Sequence, residues 1–340
     1  MDPESLQRRR AQRARERHRR VVRRRLAACA VLAAVAIVAV VVVASSGGST
    51  TSSNGSTALA AGNRAGGARH ARGHHDSKPA ATYPRRGVST ASVLGPSTGK
   101  PGTASVPILM YHVINAPPPG APFPGLYVEP QEFAAQMRAL KSAGWRPVTL
   151  DQLLAYWKHG ARLPPGKPIV LTFDNGYHSQ YAAALPVLKR LGWVADENIQ
   201  LSGLPPSQGG LTNSEVRALV AAGWELDTQG ISHADLITLD ASELHYQVAT
   251  ARARLRHRYG VPVNWFCYPS GHYDATVVNA VRSAGFVGST TVVPGWAGPS
   301  SDPYTLPRLR VLGGTSPSEL LSEISSIRSD SAPPASYPSS

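Results

Sequence analysis

Between residues 106 and 327 short apolar strands alternate with helical stretches, and this alternation restricts the fold more than any other feature of the sequence. Residues 106–111, 147–150, 169–172, 224–228, 263–268, 286–291 and 309–312 read as strands. Residues 130–143, 151–156, 181–191, 212–222, 242–259, 275–284 and 318–327 read as helices. Thr212 with Glu215 three residues on is a capping box. Residues 194–201, which contain A-D-E-N-I-Q, show no readable pattern. Strands separated by helices imply βα units around a parallel sheet. The number of units fits a (β/α) barrel of seven or eight strands, distorted or incomplete.

In such a barrel, chemistry belongs where strands hand over to loops at their C-terminal ends. The clearest handover is the β-branched run from Ile169, which stops at Asp174-Asn175-Gly176. The other polar residues at handovers are His112, Gln229, His233, Tyr268, Ser270, His272 and Asp274.

The rest of the chain is of a different kind. Residues 1–105 hold 18 Lys/Arg and four Asp/Glu, whereas residues 106–340 hold 17 of each. The whole net charge of +14 therefore sits in the N-terminal arm. A nucleic-acid-binding domain needs a basic face of its own, so no nucleic-acid partner is expected. Eleven arginines in residues 8–25 precede an uncharged stretch, residues 26–44. Nineteen residues of helix just span a bilayer. The arginines on the N-terminal flank predict a cytoplasmic segment 1–25, a signal anchor at 26–44 and an extracytoplasmic body. The alternative is secretion after signal cleavage. Residues 45–105 are Ser/Gly/Ala-rich and basic, without apolar periodicity, and read as a disordered linker. The domain then covers 106–328, and 329–340 read as a disordered tail. Cys29 and Cys267 lie in different segments, so the body must rest on its apolar core.

Four motifs in order give the body a resemblance to the polysaccharide deacetylases, the NodB-homology or family 4 carbohydrate esterases. They are Thr172-Phe173-Asp174-Asn175-Gly176-Tyr177, the segment from Thr228 to Leu236 with Gln229 and His233, Tyr268-Pro269-Ser270-Gly271-His272-Tyr273-Asp274, and Leu306-Pro307-Arg308-Leu309-Arg310. The opening Ile108-Leu109-Met110-Tyr111-His112 is similar to the permuted branch acting on poly-N-acetylglucosamine. The resemblance implies a hydrolase that removes acetyl groups from an N-acetylated polysaccharide of the peptidoglycan or poly-N-acetylglucosamine type. It implies Asp174 as catalytic base and His112 as catalytic acid. It places a divalent metal, zinc in most of the family, at Asn175, Gln229 and His233. Substrate contacts fall on Tyr177, Tyr268, Pro269, Ser270 and His272. The family has Asp where this chain has Asn175, and His where it has Gln229. Zinc favours carboxylate, thiolate or imidazole, so weakened metal binding is expected. The alternative is a glycan-binding pseudoenzyme.

Overall fold

The computed structural model describes residues 97, 99–202, 204 and 209–327. The chain divides into two units, Met1–Ala80 and Ala81–Ser340, and every described residue belongs to the second. The basic segment 1–25, the anchor 26–44, nearly all of the linker and the tail 329–340 lie outside the described residues. Among the described residues no helix is long and apolar enough to cross a membrane.

The body is a curled, mostly parallel sheet wrapped by helices. In chain order its elements begin with β1 (Val106–Tyr111), α1 (Pro130–Ser142), β2 (Trp145–Pro147), α2 (Leu150–His159) and β3 (Lys167–Asn175). Then come α3 (Leu185–Leu191), β4 (Asp196–Ile199), α4 (Asn213–Ala221), β5 (Glu225–Thr228), α5 (Ala241–His245) and α6 (Ala251–Tyr259). The series ends with β6 (Trp265–Cys267), α7 (Ala275–Ser283), β7 (Gly288–Thr290), β8 (Trp296–Ala297), β9 (Leu309–Arg310) and α8 (Pro317–Ile327). The sheet runs β7-β6-β5-β4-β3-β1-β8, with β2 beside β3 and β9 beside β1. Among the named strands only β8 pairs antiparallel. A single bridge between Thr290 and Leu306 links the β7 edge to the segment leading into β9. The result is a distorted barrel.

Side chains alternate across each strand, and the alternation explains the two compartments. Ile169, Leu171 and Phe173 of β3 join Phe133, Met137 and Leu140 of α1 in the layer between sheet and helices. Tyr111 stacks on Phe173 at 5.6 Å, and Phe173 on Trp224 at 4.9 Å. Val170, between them in sequence, instead joins Val106, Ile108 and Trp265 inside the barrel. Thr172 and Asp174 share its face, so β3 carries a polar stripe into the barrel and delivers it to the strand's end.

Several sequence expectations shift. The second strand is 145–147, not 147–150, because Thr149 caps α2 through a capping box with Gln152 and takes Leu150 into the helix. Residues 194–201 contain β4. Its pattern was unreadable because Asp196 and Asn198 face a polar barrel interior. The stretch 242–259 is α5 and α6 joined by a π-helical turn, Tyr246–Thr250. A second π-turn, Gln180–Ala184, opens α3.

Candidate active site

Asp174 is the electrostatic centre of the barrel mouth. It is 1 % exposed and makes a two-pronged ion pair with Arg308, Nη1 to Oδ1 at 2.8 Å and Nη2 to Oδ2 at 2.9 Å. Asn198 Nδ2 of β4 also donates to Oδ1, at 2.9 Å. Arg308 is fully buried, and Nε and Nη1 also donate to Thr291 O and Thr172 Oγ1. Burial alone would raise the Asp174 pKa, but the charge and hydrogen bonds of Arg308, with help from His112 and Asn198, lower it to about 2. His112 Nε2 lies 3.9 Å from Asp174 Oδ2. Burial lowers the His112 pKa to about 4, against the opposing pull of Asp174 and with a further push from Arg310 and Arg308. The imidazole is therefore neutral at neutral pH, and its Nδ1 is buried without a partner.

Two buried glutamines, one from each π-turn, fix the loops around this pair. Gln180 Nε2 donates to the backbone carbonyls of His112 (2.9 Å) and Asp174 (2.8 Å), tying β1 to β3. Gln247 Oε1 accepts from Ile231 N and Ser232 N, and its Nε2 donates to Ser232 Oγ, which holds the loop before His233. A π-turn shifts the register of a helix face by one residue and is common beside functional sites. The only non-glycine residues with positive φ among those described are Asn175 (79°), His233 (56°) and Ser270 (55°). All three line the same pocket. Such backbone strain persists where the surroundings over-determine it.

The pocket, about 440 Å³, is lined by His112, Asp174, Asn175, Tyr177, Gln229, His233, Tyr268 and Ser270, with Gln200, Ser232 and Arg310 among its other residues. Pro269 is buried in the short turn Pro269–Gly271 and is not part of the lining. His272 lies outside it as well, with Nδ1 3.2 Å from Asp235 Oδ1. The sequence assigned no task to Gln180, Gln247 or Asn198. Arg308 was visible as the third residue of the terminal motif, but its partner was not.

Residues 161–289 match the polysaccharide deacetylase family. A Bacillus subtilis (strain 168) protein named as a polysaccharide deacetylase, YxkH, is 28 % identical over 232 residues, 68 % of this chain and 79 % of that protein. The deacetylase PplD of Streptococcus pyogenes, solved with acetate, superimposes with a TM-score of 0.60 at 25 % identity, covering 65 % of this chain and 98 % of that one. The poly-β-1,6-N-acetyl-D-glucosamine N-deacetylase of Escherichia coli (strain K12) is 38 % identical over 60 residues, 18 % of this chain and 9 % of that protein. The matched residues, 161–289, mark a polysaccharide deacetylase domain.

Deacetylases of this family are generally metal-dependent. The three positions at which the sequence resemblance expects the metal, Asn175, Gln229 and His233, do not suit zinc. Asn175 Nδ2 is committed to Gln200 Oε1 at 2.8 Å, and Gln200 Nε2 to Ser202 O at 2.7 Å, which leaves Asn175 a neutral carbonyl oxygen. Gln229 adds a second neutral oxygen, Oε1, buried and without a partner. His233 supplies the one imidazole. The nearby anion, Asp174, is already neutralised by Arg308. A divalent ion held by these three residues would meet one good donor and no free negative charge, where zinc favours carboxylate, thiolate and imidazole.

Proposed function

We propose that the pocket takes an N-acetylhexosamine unit of an extracytoplasmic polysaccharide and that the domain hydrolyses its acetamide, with His112 and Asp174 as the reacting pair. The observation that supports this most directly is the placement of that pair, 3.9 Å apart, in one cavity with Tyr177, Tyr268 and Ser270. The poly-β-1,6-N-acetyl-D-glucosamine activity printed for the Escherichia coli relative points to the substrate class.

The electrostatics favour a division of roles in which His112, given above as the acid, first acts as the base in place of Asp174. Asp174 gives both oxygens to Arg308 and is held at a pKa of about 2, so it is a weak proton acceptor. Neutral His112 is the better one. In hydrolysis the water oxygen bonds to the acetamide carbon and one water proton passes to His112. The resulting imidazolium, stabilised by Asp174, returns that proton to the amine nitrogen as the carbon–nitrogen bond breaks, giving the free amine and acetic acid, which loses its remaining proton to solvent as acetate. Gln229 and His233 present uncharged polar groups to the same cavity, where they can bind the amide.

A second reading, glycan binding without turnover, is favoured by one observation: the metal positions have become an amide pair and an unpartnered glutamine. Full-length protein incubated with N-acetylated oligosaccharides separates the readings. Acetate release that survives chelation and is lost in both Asp174→Asn and His112→Gln supports hydrolysis. Saturable binding with no acetate establishes the second reading, and the absence of both overturns the proposed substrate class. Residues 26–44 would hold the domain at the outer face of a membrane with residues 1–25 in the cytoplasm. Protease accessibility of the body in intact cells tests this, and protection of the body would refute it.

A further inference from the structure

One layer inside the barrel from the pocket are three carboxylates that the proposed reaction does not use. Asp196 of β4 and Glu225 of β5 are register partners, and Asp227 lies two residues along from Glu225. All share the barrel face of Asp174, because Asp196 pairs with Thr172 and Asn198 with Asp174. Asp196 and Asp227 are wholly inaccessible and Glu225 is 7 % exposed. None of the three lines the pocket.

Each carboxyl group is half satisfied. Asp196 Oδ1 accepts from Leu150 N at 2.9 Å, and Glu225 Oε2 from Asp151 N at 3.0 Å. Asp227 Oδ1 accepts from Asn264 N at 3.2 Å and Trp265 N at 2.8 Å. The other oxygens, Asp196 Oδ2, Glu225 Oε1 and Asp227 Oδ2, are buried with no partner. The charges acting most strongly on the three are other carboxylates, their own and that of Asp151. Unpaired buried carboxylates are costly, and three together more so.

One oxygen from each group lies within 4.8 Å of the others. Two oxygens on opposite sides of one ion at about 2.4 Å, an ordinary calcium–oxygen distance, are about 4.8 Å apart. The donor set is all oxygen, which suits hard cations and not zinc or copper. The backbone N–H groups that bond one oxygen of each carboxylate hold its orientation, as partners of ligating groups usually do.

We propose that Asp196, Glu225 and Asp227 form a buried structural site for a hard divalent cation of the calcium or magnesium class, separate from Asn175, Gln229 and His233. The ion supplies the positive charge that these three carboxylates lack among their neighbours. It also steadies β4, whose Asn198 donates to Asp174 and carries a buried, unpartnered Oδ1. This site does not depend on whether the domain hydrolyses its glycan.

The test uses the full-length chain, purified without chelator and then after unfolding and refolding in EDTA. Elemental analysis of the first sample is expected to give about one equivalent of calcium, magnesium or manganese per chain. Adding back the retained ion is expected to raise the thermal midpoint of the second sample, and this shift should vanish in Asp227→Asn with Glu225→Gln. Folded wild-type protein that holds no divalent cation and shows no shift with any of the three ions overturns the proposal, whether or not the variants fold. So does an undiminished shift in the double variant.

Discussion

Arg308 and Asp174 illustrate how one residue can be read from sequence while its role cannot. The motif order located both, yet their pairing depends on a separation of 134 residues, closed by the register of β9 on β1 and β1 on β3. Removing one partner of a buried pair leaves an uncompensated charge. Arg308→Met should therefore cost about 3–5 kcal/mol of stability, read as a shift in the urea unfolding midpoint, and Arg308→Lys should recover only part because it lacks the planar fork. The departure at the metal positions was fully legible, since Asn175 and Gln229 are plain in the sequence. The amide partner of Asn175, Gln200, was not, because it stands on a stretch with no recognisable pattern. Restoring the family donors with Asn175→Asp and Gln229→His should tighten zinc binding at the pocket by about 100-fold or more, measured by competition with a chromophoric chelator. Equal zinc affinity in wild type and variant would contradict the account of the donors.

At the scale of elements, helices with caps and apolar spacing were readable and strands facing a polar interior were not. β4 escaped because Asp196, Glu197 and Asn198 make it look like a loop, although all are buried. β8, two residues long, had too little pattern to see. The π-turns at Gln180 and Tyr246 were hidden because a single extra residue in a helix leaves no mark on composition. α4 shows the opposite case, with Thr212 Oγ1 accepting from Glu215 N and Glu215 Oε2 from Thr212 N. Thr212→Ala should lower stability by about 1 kcal/mol while Thr212→Ser leaves it nearly unchanged, which denaturant midpoints will show. The helix starts just after Leu211, whose N–H donates to Gly176 O beside the pocket.

For the molecule as a whole, the buried pair contributes one part of the pH dependence. His112 has a folded pKa of about 4, below the ordinary imidazole value, so the unfolded chain binds more protons as the pH falls from about 6.5 to 4. Stability from this group is present above that window and is lost on acidification through it, by on the order of 3 kcal/mol. Asp174, lowered to about 2, extends the loss from about pH 4 toward 2. Asp196, Glu197, Glu225 and Asp227, whose pKa values burial raises, act in the opposite sense over the same range, so the His112 contribution is read as the decline in unfolding free energy of wild type relative to His112→Gln from pH 7 to 4. A parallel decline in both would remove His112 as the cause.

The long reach of Arg308 has a consequence for how the protein is made. A chain growing from its N-terminus can lay β1 against β3 early, with Asp174 already turned into the barrel. The guanidinium that neutralises it arrives 134 residues later, next to the last strand. Until then the barrel mouth holds an unmatched charge, so the pocket around Asp174 is among the last parts of the domain to be completed. A chain cut short before Leu306 would have most of its strands and no tolerable place for Asp174, which makes the integrity of the C-terminal end a condition for the core itself.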